Sequence, residues 1–98
     1  MIDVQVRTEA GEILSRISKL SIGVFFQAEL ALYPLLGHIV PWADMVFNSS
    51  QLKVLSREVA RYEADPVLNP SGESFDWLQE MCDLVAEAGH RILWFVGD

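Results

Sequence analysis

The chain has 98 residues, 51% of them hydrophobic and 21% charged, with fourteen acidic residues against seven basic ones and a formal net charge of −7. This length gives one domain whose core needs no metal or disulfide staple, and the composition is too apolar for intrinsic disorder. The charge argues against direct nucleic-acid binding unless the few Lys and Arg gather on one face, and the single cysteine, Cys82, rules out an internal disulfide framework.

In chain order, Ile2, Val4 and Val6 alternate with Asp3, Gln5 and Arg7, the period of a strand with one wet face. Gly11 follows where a turn needs positive φ, so residues 13–18 are expected to return as the second arm of a hairpin. A short helix is the competing reading, because Ile13, Ile17 and Leu20 also fit helical spacing.

Over residues 23–33 the periods conflict. Phe26, Ala28, Leu30 and Leu32 alternate as in a strand, yet Gln-Ala-Glu-Leu-Ala-Leu favours a helix. A strand of a meander is the preferred expectation, since Gly23 and Pro34 bracket a run of strand length. Residues 34–44 read as an ordered loop whose Leu35, Leu36, Ile39, Val40 and Trp42 lie over the core. A membrane span across residues 20–43 is not expected. Gln27 and Glu29 lie inside it, Pro34 and Pro41 interrupt it, and a central carboxylate costs about 2.5–3.5 kcal/mol on insertion scales. No basic region leading into an apolar stretch opens the sequence, so a cytoplasmic location is the default expectation.

Asn48 with Gln51 three residues on forms a capping box, with Ser49 a second cap candidate, and starts a first helix. Leu52, Leu55, Val59 and Tyr62 make its apolar stripe and Lys53, Arg57 and Arg61 a basic row. Pro66 ends it near Ala64. A second helix is expected over 73–88, with Phe75, Leu78, Cys82 and Val85 on one stripe, Trp77, Met81 and Leu84 beside them, and Gly89 as the stop. Asp76, Glu80, Asp83 and Glu87 fall on one acidic face, which could flank the basic row of the first helix. The closing residues 92–98 carry apolar side chains on both faces and read as a central strand.

Candidate chemistry is sparse. His38 and Asp44, on one loop with Trp42 between them, could form a general-base couple. No nucleophile elbow, phosphate-cradling glycine loop or nearby second histidine accompanies them, and a capping Asp44 with a His38 that satisfies a backbone group is the preferred reading. Cys82 faces the apolar stripe and reads as a core residue, and Cys82 with His90 makes no metal site. No cofactor is expected. The acidic face could bind a cation or a basic partner, against the plainer reading of a solvated helix face. Asn48-Ser49-Ser50 matches a glycosylation acceptor formally, but capping explains it better. Of Trp42, Trp77 and Trp94, Trp42 is the one expected at the surface.

Pro41-Trp42-Ala43-Asp44-Met45-Val46-Phe47-Asn48, followed by Gln51, and the closing Leu93-Trp94-Phe95-Val96-Gly97-Asp98 resemble a group of small uncharacterised bacterial proteins with a Pro-aromatic-x-Asp-x-Val-Phe-Asn loop and a terminal Phe-Ile/Val-Gly-Asp. The resemblance covers about a fifth of the chain. It implies a bacterial cytoplasmic origin, makes Asp44, Asn48 and the terminal strand structural fixtures, and brings no activity with it.

The expectation is an α+β fold, a small, mainly antiparallel sheet of N-terminal hairpin and C-terminal strand covered by two helices. Three functions are consistent with the sequence. The first is a non-enzymatic protein-binding domain, most concretely an immunity or inhibitor protein against a basic toxin or nuclease, docking through Asp76, Glu80, Asp83, Glu87 and Trp42. The second is a small enzyme or accessory subunit using His38 and Asp44, and the third a structural or regulatory homodimer.

Overall fold

The computed structural model describes residues 2–20, 28–40 and 42–97. Among these, four antiparallel strands, β1 (Ile2–Thr8), β2 (Ile13–Leu20), β3 (Met45–Asn48) and β4 (Arg91–Val96), form one sheet in the order β2-β1-β4-β3. Two helices, α1 (Ser49–Ala64) and α2 (Asp76–Ala86), cover one of its faces. The α+β expectation holds. The terminal strand is central, bonded to β1 on one side and β3 on the other.

The hairpin forms as the glycine placement implies. Gly11 takes φ +93°, and bonds between Thr8 and both Gly11 and Glu12 close the turn. Val4 and Val6 of β1, Phe47 of β3, and Leu93 and Phe95 of β4 point to the helices and are buried. Phe47 and Phe95 meet edge to face at 5.9 Å. Leu52, Leu55, Val59 and Tyr62 from α1 and Leu78, Met81, Cys82 and Val85 from α2 complete the core.

The capping box at Asn48 is present in full. Its side chain accepts from the Gln51 amide, and the Gln51 side chain accepts from the Asn48 amide. The second helix is shorter than expected. Residues 73–75 stay outside it because Asn69 and Glu63 take up their backbone groups, and Phe75 becomes the N-cap with φ −112° and ψ 27°. Asn69 bonds both the amide and the carbonyl of Glu73, and Glu63 accepts from the Phe75 amide at 2.6 Å. At the other end the left-handed residue is His90 (φ 62°), not Gly89. That turn is held from outside the helix, for the His90 carbonyl accepts from the Glu9 amide and its ring bonds the Glu9 carboxylate at 3.1 Å.

The expected strand over 23–33 is not found where it can be followed. Residues 23–27 lie outside the described part, and 28–33 form a turn in which the Glu29 carbonyl accepts from the Leu32 and Tyr33 amides. No described strand lies beside it to pair with. The loop that follows packs over the core in part, burying Leu36 and Ile39 around a single 3-10 turn (Leu36–His38) with Leu35 and Val40 half-buried, while Trp42, expected with them, is exposed. What fastens it is Glu58 of α1, only 2% exposed, whose carboxylate accepts from the amides of Leu35 and Leu36 at 3.0 Å each. No helix among the described residues is long and apolar enough to cross a membrane.

Candidate functional site

Helix α2 packs with Leu78, Met81, Cys82 and Val85 inward, which turns Asp76, Glu80, Asp83 and Glu87 outward, and all four are exposed. The basic row of α1 forms no ion pair with them among the described residues, although Lys53 and Asp83 line one small cavity between the helices. Lys53 and Arg57 are exposed, and Arg61 turns away to bond the Leu32 carbonyl and lie over the Tyr33 ring at 4.8 Å. The helices are joined instead by Ser56 and Gln79. The Ser56 hydroxyl donates to the Gln79 side-chain oxygen, and the Gln79 amide donates to the Ser56 carbonyl at 2.9 Å. Among the described residues the only ion pair on the acidic face is Glu87 with Arg91, at 3.6 Å.

Three of these carboxylates, Glu80, Asp83 and Glu87, line a cleft of about 330 Å³ between α2 and strand β2. Its opposite wall is Ser15 and Ile17, and Trp77, Met81 and Leu84 complete its lining. The result is a negatively charged rim around an apolar floor at one end of the sheet. Asp76 and Trp42 are not part of this lining. Trp42 is 63% exposed, on the loop that leads into β3 at the far edge of the sheet.

His38 and Asp44 are not hydrogen-bonded to each other among the described residues. His38 is exposed at the end of the 3-10 turn. Asp44 is committed to the terminal strand. One of its oxygens accepts from the Gly97 amide at 2.9 Å and the other from the Trp94 indole at 3.3 Å. A Cβ on Gly97 would come within 2.5 Å of the Ala43 backbone, so the loop and the chain end pack backbone to backbone. The two sequence stretches that carry the resemblance are therefore neighbours, paired as β3 and β4 with Val46 opposite Trp94 and Phe47 opposite Leu93.

A second polar array, on the sheet face away from the helices, was not singled out from the sequence. Asp3 accepts from Gln5 at 2.7 Å, Arg16 at 2.8 Å and Ser18, Gln5 accepts from Arg7 at 2.6 Å, and Arg7 stacks over Trp94 at 4.0 Å. Partial burial raises the Asp3 carboxyl, but the hydrogen bonds from Ser18, Gln5 and Arg16 outweigh it and hold the group below its ordinary value. The signal in the sequence was the polar triplet at alternate positions of β1. It shows which face is polar and does not reveal that its members bond one another. Cys82 is buried, and desolvation, with the Asp83 charge beside it, pushes its thiol up to about 12. No group of three or more His, Cys, Asp or Glu among the described residues is arranged to hold a metal ion.

No protein-family model, curated protein or solved structure matches this chain.

Proposed function

We propose that this protein is a small non-enzymatic binding domain that docks a basic protein through α2, its most concrete form being an immunity or inhibitor protein of the bacterial cytoplasm acting against a basic toxin or nuclease. The observation that carries the reading is the cleft in which Glu80, Asp83 and Glu87 surround Trp77, Met81 and Leu84. Glu80 and Asp83 form no ion pair among the described residues, so their charge is available to a partner. A charged rim steers encounter and selects partners, and an aromatic floor supplies the buried contact that sets the lifetime of a complex. The −7 net charge adds a long-range attraction to any basic surface.

The test is affinity capture from the native host with wild-type protein and with a variant carrying Glu80→Gln, Asp83→Asn and Glu87→Gln. The reading expects a basic protein retained by the wild type at low salt and lost by the variant. Equal retention by both would refute it.

The sheet face away from the helices supports a homodimer as a second reading. Val46 is 39% exposed there, and Ile92, Trp94 and Val96 are half-buried. A monomeric mass by light scattering at high protein concentration would remove it.

A further inference from the structure

We propose that the acidic cleft receives an extended segment of the basic partner, with Lys or Arg alternating with apolar residues, added as a strand along the outer edge of β2. This rests on the basic-partner reading above and adds the conformation and residue pattern of what docks.

Strand β2 stands at the end of the sheet. It pairs with β1 on one side, and among the described residues no strand pairs with it on the other. Such an edge presents a row of backbone donors and acceptors to any chain laid beside it. This edge also borders the cleft, since Ser15 and Ile17 of β2 form the wall opposite Glu80, Asp83 and Glu87.

A strand added beside β2 continues its pleat, so every second side chain of the newcomer points to the α2 side of the sheet. Those side chains meet carboxylates. Same-face residues on a strand repeat about every 6.8 Å, and Asp83 and the C-cap residue Glu87, one helical turn apart, are separated by about 6 Å along the helix axis. Successive same-face cations of a segment running along the helix axis would each find an acid. The methylene stems of Lys or Arg would lie on Trp77, Met81 and Leu84 while their charged ends reach the rim. Backbone bonds to β2 would supply affinity for an extended chain, and the carboxylates would choose a basic one. A second copy of the chain suits this edge less, because it would bring another net charge of −7 against the same acidic rim.

The test uses the full chain and two synthetic probes. One is a short peptide of alternating lysine and valine, and the other is the same peptide N-methylated at alternate backbone nitrogens, with its charge unchanged and its donors along one edge removed. Titration followed by tryptophan fluorescence measures affinity, and amide hydrogen exchange locates the contact. The inference expects the unmodified peptide to bind, to weaken as salt is raised, and to protect β2 amides from exchange. The methylated peptide should bind at least tenfold more weakly, and Glu80→Gln with Glu87→Gln should cost the unmodified peptide roughly tenfold, in line with the loss of close charge pairs at an interface. Equal binding of both peptides, or binding without protection of β2, would overturn strand addition and leave the basic-partner reading standing. Failure of both peptides to bind would overturn strand addition and count against the basic-partner reading as well. A dimer in which β2 amides are already protected without peptide would overturn the inference in favour of a second copy as the occupant.

Discussion

Replacing Glu58 with alanine removes the carboxylate of α1 that holds the backbone of the long loop at Leu35 and Leu36. In the native protein its carboxylate accepts from the amides of Leu35 and Leu36, at 3.0 Å each, in a site where Leu36 is fully buried and Leu35 half-buried. An orphaned buried amide costs about 1–3 kcal/mol, and water reaching the Leu35 amide would recover part of that one, so the loss should be about 2–4 kcal/mol. For a domain of this size that corresponds to a melting temperature lower by roughly 10–20 °C. Glu58→Gln keeps one oxygen acceptor for the two amides and replaces the other oxygen with an NH2 group, so about 1 kcal/mol is expected. Thermal and urea unfolding followed by circular dichroism measure the loss, and amide exchange at Leu35 and Leu36 locates it. A loss below about 0.5 kcal/mol in the alanine variant, or unchanged protection of both amides, would refute the assignment of Glu58 as the anchor, since a truncated buried acceptor cannot be that cheap.

Three further predictions follow from the same geometry. Gly97→Ala should destabilise by about 1–3 kcal/mol in urea unfolding, because its Cβ would fall within 2.5 Å of backbone atoms of Ala43 that no rotamer change can move. Asp3 titrates below its unfolded value, so its bonds add stability that is present above about pH 4 and is lost as pH falls through the lower folded value. Asp3→Asn should therefore be less stable than wild type near neutrality, and the difference should shrink below about pH 4 in acid melts. Cys82, buried and raised to about 12, should be alkylated by iodoacetamide at pH 8 orders of magnitude more slowly in the native protein than in denaturant, with rates that track opening of the fold.

The parts of this fold that could be read from the sequence are those in which a local signal and the tertiary environment agree. Gly11 marks the hairpin, Asn48 with Gln51 marks the start of α1, and the two-sided apolar run at the chain end marks a strand with neighbours on both sides. Where the environment decides, the sequence is silent or misleading. Residues 73–75 precede the helix without joining it because Asn69 and Glu63 claim their backbone groups. Strand β3 has only four residues, too few for a period to register, and exists because β4 offers it an edge. The left-handed turn falls on His90 because Glu9, eighty-one positions away, holds it.

The acidic face was legible as a helical stripe, but its second wall was not. Nothing in the spacing of Ser15 and Ile17 tells that they will stand across a cleft from Glu80 and Glu87, since that depends on how α2 lies over the sheet. The His38 and Asp44 pair illustrates the reverse. Proximity in sequence offered a couple, and the demand of the Gly97 amide and Trp94 indole for an acceptor gave Asp44 other partners.

The central claim is that the α2 cleft is the docking surface for a basic partner. The most direct measurement is a nuclear magnetic resonance titration of the labelled protein with the alternating lysine–valine peptide. The account predicts salt-sensitive shifts centred on the Trp77 indole, Ile17, Glu80, Asp83 and Glu87, with the Trp94 indole and the Leu35 and Leu36 amides unmoved. Shifts centred instead on Arg7 and Trp94, on the other face of the sheet, or no shifts at the cleft with peptide in excess, would contradict it.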